Sequence, residues 1–264
     1  MIPISDDNPV RTRPVVTWGL IGACVLVFLW QVSLTEAGID RLFATYGAVP
    51  AHIWGSSGPR QAFLAPEFTL VSSQFLHGGM AHLAGNMLFL YIFGDNVEAA
   101  MGRLRFLVFY CLTGVAAALG HALLEPASSI PMVGASGAIS GVLGAYLLLY
   151  PYARVRVLFL PLPIPIFRVF AVPAAIVLGI WFAIQFVSAA LSPSGEGGVA
   201  FWAHVAGFVA GMALLPLFKK RGVAYWQPAP VERFDGRAQP GPWSPPPPPD
   251  PDERSPRRRK GPWG

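Results

Sequence analysis

Residues 200–218 read Ala-Phe-Trp-Ala-His-Val-Ala-Gly-Phe-Val-Ala-Gly-Met-Ala-Leu-Leu-Pro-Leu-Phe, an apolar run of membrane length whose one ionisable side chain is His204. An imidazole inside such a run is costly unless it is paired or functional. A second polar residue stands at the head of another apolar run: Ser136, in Val-Gly-Ala-Ser-Gly-Ala over residues 133–138. An even number of apolar segments separates the two, so both arrive at the same face of a bilayer. Working outward from this pair decides the class of the protein.

The chain has 264 residues, of which 53% are hydrophobic and only 12% charged. Soluble domains average roughly a quarter charged residues, so the deficit points to a membrane protein. Six apolar segments approach or reach the roughly 20 residues that cross a bilayer. They lie near 15–32, 80–97, 104–123, 136–151, 170–191 and 200–218. The first lacks a small-residue cleavage site after it and reads as a retained span rather than a signal peptide. The formal net charge of +5 does not gather on a globular face, which argues against nucleic acid as a partner. Instead, ten Lys and Arg residues from Arg11 to Arg221 fall in alternate connections, and only Arg41 and Arg60 fall in the opposite set. That asymmetry places both termini in the cytoplasm and the loops 33–79, 124–135 and 192–199 outside.

The expected organisation is a short cytoplasmic segment over 1–14, a six-span core over 15–218, and a basic tail over 219–264. The first outer loop carries Phe63, Leu64, Phe68, Leu70, Phe75 and Leu76 and reads as interfacial. Residues 225–264 hold twelve prolines, then Arg257-Arg-Arg-Lys260, and such a stretch cannot bury a core. It reads as a disordered, solvated tail; a Pro-reading domain or anionic lipid headgroups are alternative contacts for it. Cys24 and Cys111 lie in apolar runs and read as small buried hydrophobes. No metal or other cofactor is expected, because neither an HExxH motif nor a Cys/His ligand cluster is present.

Ser136 taken alone fits close packing, since Gly137-Ala-Ile-Ser-Gly141 is a small-xxx-small pattern and Gly134-Ala-Ser-Gly137 is not the GxSxG elbow of α/β-hydrolases. His204 changes the balance. Gly207 and Gly211 follow it at spacing four, and Gly137, Gly141 and Gly144 give the fourth segment a similarly smooth face. Two such helices in contact would bring hydroxyl and imidazole within hydrogen-bond reach, the requirement for a base-activated serine. His82 and Asn86, four residues apart, share one face of the second segment, about 6 Å apart along its axis. Their donors, with the backbone amides at the head of the fourth segment, suit an oxyanion. An interhelical polar clamp is the alternative for this pair. His77 reads as interfacial; His52 and His121 read as structural or exposed. Asp95 and Glu98 lie roughly 20 Å deeper than His82 at 1.5 Å per residue, so no acidic third member is expected.

With these residues assembled, the chain resembles the rhomboid family of intramembrane serine proteases. The resemblance covers about residues 15–218 and rests on four stretches in the family's order: Phe75-Leu-His-Gly-Gly-Met-Ala-His-Leu-Ala-Gly-Asn86, Gly94-Asp-Asn-Val-Glu98 with Gly102 and Arg103, Gly134-Ala-Ser-Gly137, and Ala203-His-Val-Ala-Gly207. It implies an all-α, six-span bundle in a bacterial inner membrane, with Ser136 as nucleophile, His204 as base, and His82 and Asn86 at the oxyanion. The implied substrates are single-span or other transmembrane proteins, cleaved in or beside their membrane segments. Some members carry a tyrosine four residues after the nucleophile that packs on the base; that position is Ser140 here. A non-catalytic membrane protein, either a transporter or a binder of transmembrane helices, is the alternative reading of the same polar residues.

Overall fold

The computed structural model describes residues 2–10, 12–55, 65–159, 167–191 and 200–229. It is mostly helical. A first long helix, α1 (Val15–Gln31), is followed by three short ones, α2 (Glu36–Tyr46), α3 (Pro50–Ile53) and α4 (Pro66–Ser72). Then come α5 (Met80–Met101), α6 (Arg103–Leu124), α7 (Ser136–Leu149), α8 (Ala174–Leu191) and α9 (Phe201–Phe218). Among the described residues α6, α8 and α9 are long and apolar enough to cross a membrane, and α1 and α7 are shorter apolar helices. The chain is thus a membrane protein by the composition of its helices.

Its centre is α7. From Gly137 to Tyr146 every residue of this helix is buried, as expected of a helix apolar on all sides. Such a helix approaches its neighbours only if they lack side chains at the crossing. A Cβ on Gly207 of α9 would strike the carbonyl oxygen of Gly137, one on Gly211 that of Gly141, and one on Gly144 of α7 that of Phe208. On the other side, a Cβ on Gly137 would lie 2.6 Å from Cβ of Ala117 on α6. Because backbone carbonyls cannot swing aside, Gly211→Val is expected to destabilise the fold by about 1–3 kcal/mol or more. Thermal unfolding in detergent tests this, and an unchanged midpoint would mean the helices do not meet there.

The expectation of an all-α chain needs correction. Three strands form an antiparallel sheet in the order β1 (Ile2–Asp6), β2 (Arg154–Phe159), β3 (Arg168–Pro173). β1 pairs with β2 from Ile2↔Leu158 to Asp6↔Val155, with a bulge between Pro3 and Ser5, and β2 pairs with β3 from Arg154↔Pro173 to Phe159↔Arg168. The alternation of Arg154, Val155, Arg156 and Val157 has period two, and the two valines are buried while the arginines are exposed. Residues 2–6 of the N-terminal segment are therefore a strand, and α8 begins after Pro173 rather than at 170.

A second correction concerns the start of the tail. Residues 219–229 are folded back on the bundle: the Lys220 amide donates to Ala100 O at 3.0 Å, and the Trp226 and Gln227 amides donate to Leu148 O and Leu149 O at 2.9 and 2.8 Å. The last carbonyls of a buried helix have no partner within it, and this return segment supplies the donors. The proline run and the basic residues at 257–260 lie outside the described residues, as do Phe63, Leu64 and the connection 192–199.

The acidic side chains hold the end of the bundle remote from Ser136. Glu98 of α5 accepts from the amides of Val16 (3.1 Å) and Thr17 (2.8 Å) and from Thr17 Oγ1 (2.8 Å), capping α1, whose N-cap residue is Pro14. Asp6 of β1 accepts from Tyr146 Oη at 2.5 Å and Asn96 Nδ2 at 3.0 Å, joining the first strand to α7 and α5. Burial pushes the Asp6 carboxyl up to about 7, opposed by the Tyr146 hydrogen bond and assisted by the nearby Asp95 and Asp7 carboxylates. A native pKa above the ordinary carboxylate value means that folding holds a proton which the unfolded chain releases first. The stabilisation is therefore complete below about pH 4 and lost as pH rises through about 7. Thermal unfolding of the wild type is expected to drop by several degrees across that window, and that of Asp6→Asn to drop less; parallel curves would contradict it.

Candidate active site

The four residues singled out in the sequence converge at the opposite end of α7. Ser136 is the first residue of that helix, half-buried, and His204 lies in the first turn of α9, buried. Because α7 and α9 cross through glycine, the side chains above the crossing meet: His204 Nε2 lies 2.7 Å from Ser136 Oγ. A hydroxyl at this distance from an unprotonated imidazole nitrogen donates to it, and the imidazole can accept its proton outright.

The strand-like approach to α7 explains how Ser136 is presented. Gly134 has φ 131°, a left-handed value that L side chains rarely adopt, and a Cβ there would lie 2.8 Å from Cε1 and 2.9 Å from Nε2 of His82. The His82 ring thus packs on the backbone two residues before Ser136. Asn86, one turn further along α5, is buried, with Nδ2 3.7 Å from the same point. That amide nitrogen has no hydrogen-bond partner among the described residues. An orphaned buried donor is rare, and here it lies close to Gly134, two residues before Ser136 at the head of α7.

Position 140 does not touch the base. The Ser140 hydroxyl is fully buried and donates to Ser136 O at 2.6 Å. What holds His204 comes instead from α8, a helix with no residue marked in the sequence reading. The Trp181 ring packs beside the imidazole, with centroids 6.0 Å apart and planes inclined by 33°, and Phe201 meets it edge-on at 6.4 Å. Gln185 Oε1 lies 2.7 Å from His204 Nδ1. The clue was present in the sequence: Gln185 interrupts an otherwise apolar helix, the same kind of anomaly that marked His204.

His77, just before α5, is shielded by the protein itself. It is 1% exposed and is clasped by Gln31 of α1, whose Oε1 accepts from the His77 amide (3.0 Å) and whose Nε2 donates to His77 O (2.8 Å). Burial, with the neighbouring His82, holds its imidazole down at about 4, so it stays neutral. Its ring meets that of His82 edge-on, with centroids 5.3 Å apart, and so supports the site from behind. His121 is buried on α6 and His52 half-buried on α3.

Residues 66–221 match the family profile described as "Rhomboid domain". Among characterised proteins, the chain is 30% identical over 159 residues to "Rhomboid protein 1, mitochondrial" of Saccharomyces cerevisiae, covering 58% of this chain and 42% of that protein. It is 31% identical over 147 residues to the human "Presenilin-associated rhomboid-like protein, mitochondrial", covering 54% of this chain and 35% of the other. A third relative, "RHOMBOID-like protein 5" of Arabidopsis thaliana, is 38% identical over 78 residues, covering 30% of this chain and 25% of its own. The chain spans less than half the length of each of the three.

Proposed function

Since the chain belongs to the rhomboid family, we propose that it is an intramembrane serine endopeptidase that cleaves transmembrane segments of other membrane proteins through Ser136 and His204. The observation that carries this reading is the 2.7 Å approach of imidazole to hydroxyl at the shared end of two glycine-packed helices. In the proposed reaction His204 Nε2 takes the Ser136 proton as Oγ bonds to the substrate carbonyl carbon. The negative charge moves to the carbonyl oxygen, where Asn86, His82 and the amides at the head of α7 receive it. The imidazolium then protonates the leaving amide nitrogen, and the C–N bond breaks. Water, deprotonated by His204, then attacks the acyl carbon, and the imidazolium gives that proton to Ser136 Oγ as the carbon–Oγ bond breaks, releasing the second product. A substrate helix must unwind locally first, because a helical peptide hides its carbonyl from attack.

The same reading takes α1, α5, α6, α7, α8 and α9 as six spans forming a catalytic core over 15–218, in a bacterial inner membrane. The Lys and Arg distribution supports cytoplasmic termini, with Ser136 and His204 toward the outer face. Incubating the detergent-purified protein with a panel of single-span proteins tests the function directly. The wild type should cleave one or more of them and label with a fluorophosphonate, and Ser136→Ala should do neither. A folded wild type that neither cleaves nor labels would leave the polar cluster as an interhelical clamp.

A further inference from the structure

A base that must take a proton at Nε2 has to carry its own proton at Nδ1, and something must hold it there. In soluble serine hydrolases a buried carboxylate does this. No carboxylate hydrogen-bonds to His204 among the described residues; its Nδ1 faces Gln185 Oε1 at 2.7 Å. We propose that Gln185 is a positioning residue that completes a Ser136–His204–Gln185 relay, an inference that rests on the protease reading above.

Three features of the molecule support it. An amide oxygen accepts and cannot donate, so its place beside Nδ1 selects the Nδ1–H tautomer and leaves Nε2 bare toward Ser136, 2.7 Å away. Gln185 and Trp181 are one turn apart on α8, so one helix face presents both the amide and the ring that packs beside the imidazole. Ser140, where a stacking side chain would have come from α7, is turned back onto Ser136 O. A neutral amide also suits the setting. It stabilises the imidazolium as that charge forms, since hydrogen bonds to ions are stronger than those between neutral groups, without placing a permanent anion in lipid.

The role is separable from packing because acceptor and shape can be exchanged independently. Gln185→Met keeps length and volume and removes the acceptor; Gln185→Glu keeps an acceptor and adds a charge. A positioning role predicts that Met lowers kcat by roughly 10- to 100-fold with KM little changed, and that Glu retains activity within about tenfold of wild type. A packing role predicts the reverse order, with Met benign and Glu harmful, and that order would overturn the proposal. Because the Glu variant could lose its fold, the tautomer is read independently on the wild type, by nitrogen-15 NMR of histidine-labelled protein with the signal assigned by its loss in His204→Ala. A protonated Nδ1 and bare Nε2 at neutral pH are expected, and the opposite tautomer overturns the relay. If wild type cleaves, Ser136→Ala does not, and Met equals wild type, the relay fails alone. If wild type is inert, the protease reading fails and carries the relay with it.

Discussion

Ser136→Ala is expected to lower turnover of a cleavable single-span substrate by at least about 10⁴-fold, His204→Ala by a similar factor, and the double variant by no more than either alone. The reason is that hydroxyl and imidazole act as one unit. Once the oxygen is absent, the base has nothing to deprotonate, and once the base is absent, a neutral hydroxyl is a poor nucleophile. Groups that act jointly show such non-additive losses in soluble serine hydrolases, where residual rate comes from oxyanion stabilisation and binding alone. A multiplicative double variant would mean that the two side chains contribute separately, and the 2.7 Å contact would then not be the reacting pair. Thermal unfolding of each variant guards against simple loss of the fold.

Asn86→Ala is expected to behave differently, lowering kcat by about 10²- to 10³-fold while KM changes little. Its Nδ2 is buried and unpartnered at rest, so truncation removes no hydrogen bond from the resting state. On the proposed mechanism, what it removes is a donor for charge that exists only in the transition state. Buried unsatisfied donors destabilise a fold, so the same variant should unfold at an unchanged or higher temperature. Lower turnover joined to undiminished stability distinguishes an oxyanion donor from an interhelical clamp, for which both would fall. An unchanged kcat would exclude Asn86 from the chemistry.

The site proved more legible than the scaffold that orients it. Serine and histidine in apolar runs stand out against their surroundings, and the glycines beside them at spacing four say that the helices touch. Gln185 carried the same kind of signal but no motif, and its partner lies 19 positions away, so only the packing of α8 on α9 discloses the bond. The sheet escaped for a related reason: the alternation of Arg154 to Val157 spans four residues, and its partner strand β1 lies near the start of the chain. Glu98 was rightly separated from the active end by helix geometry, yet nothing local reveals that it caps α1 across 81 positions. That His77 is buried was not legible either, because the Gln31 side chain that clasps its backbone lies 46 positions earlier. In each case short-range periodicity was readable and long-range pairing was not.

The pairing of β1 with β2 also bears on the order in which the molecule is made. Asp6 reaches Val155 only after some 150 intervening residues exist, and the hydroxyl of Tyr146 that holds its carboxyl arrives equally late. At synthesis rates of about 5–20 residues per second, the opening pentapeptide waits roughly 7 to 30 seconds without its neighbours. Through that interval Glu98 of α5 already ties the head of α1 at this end, while the first strand stands unpaired until the residues around Val155 emerge.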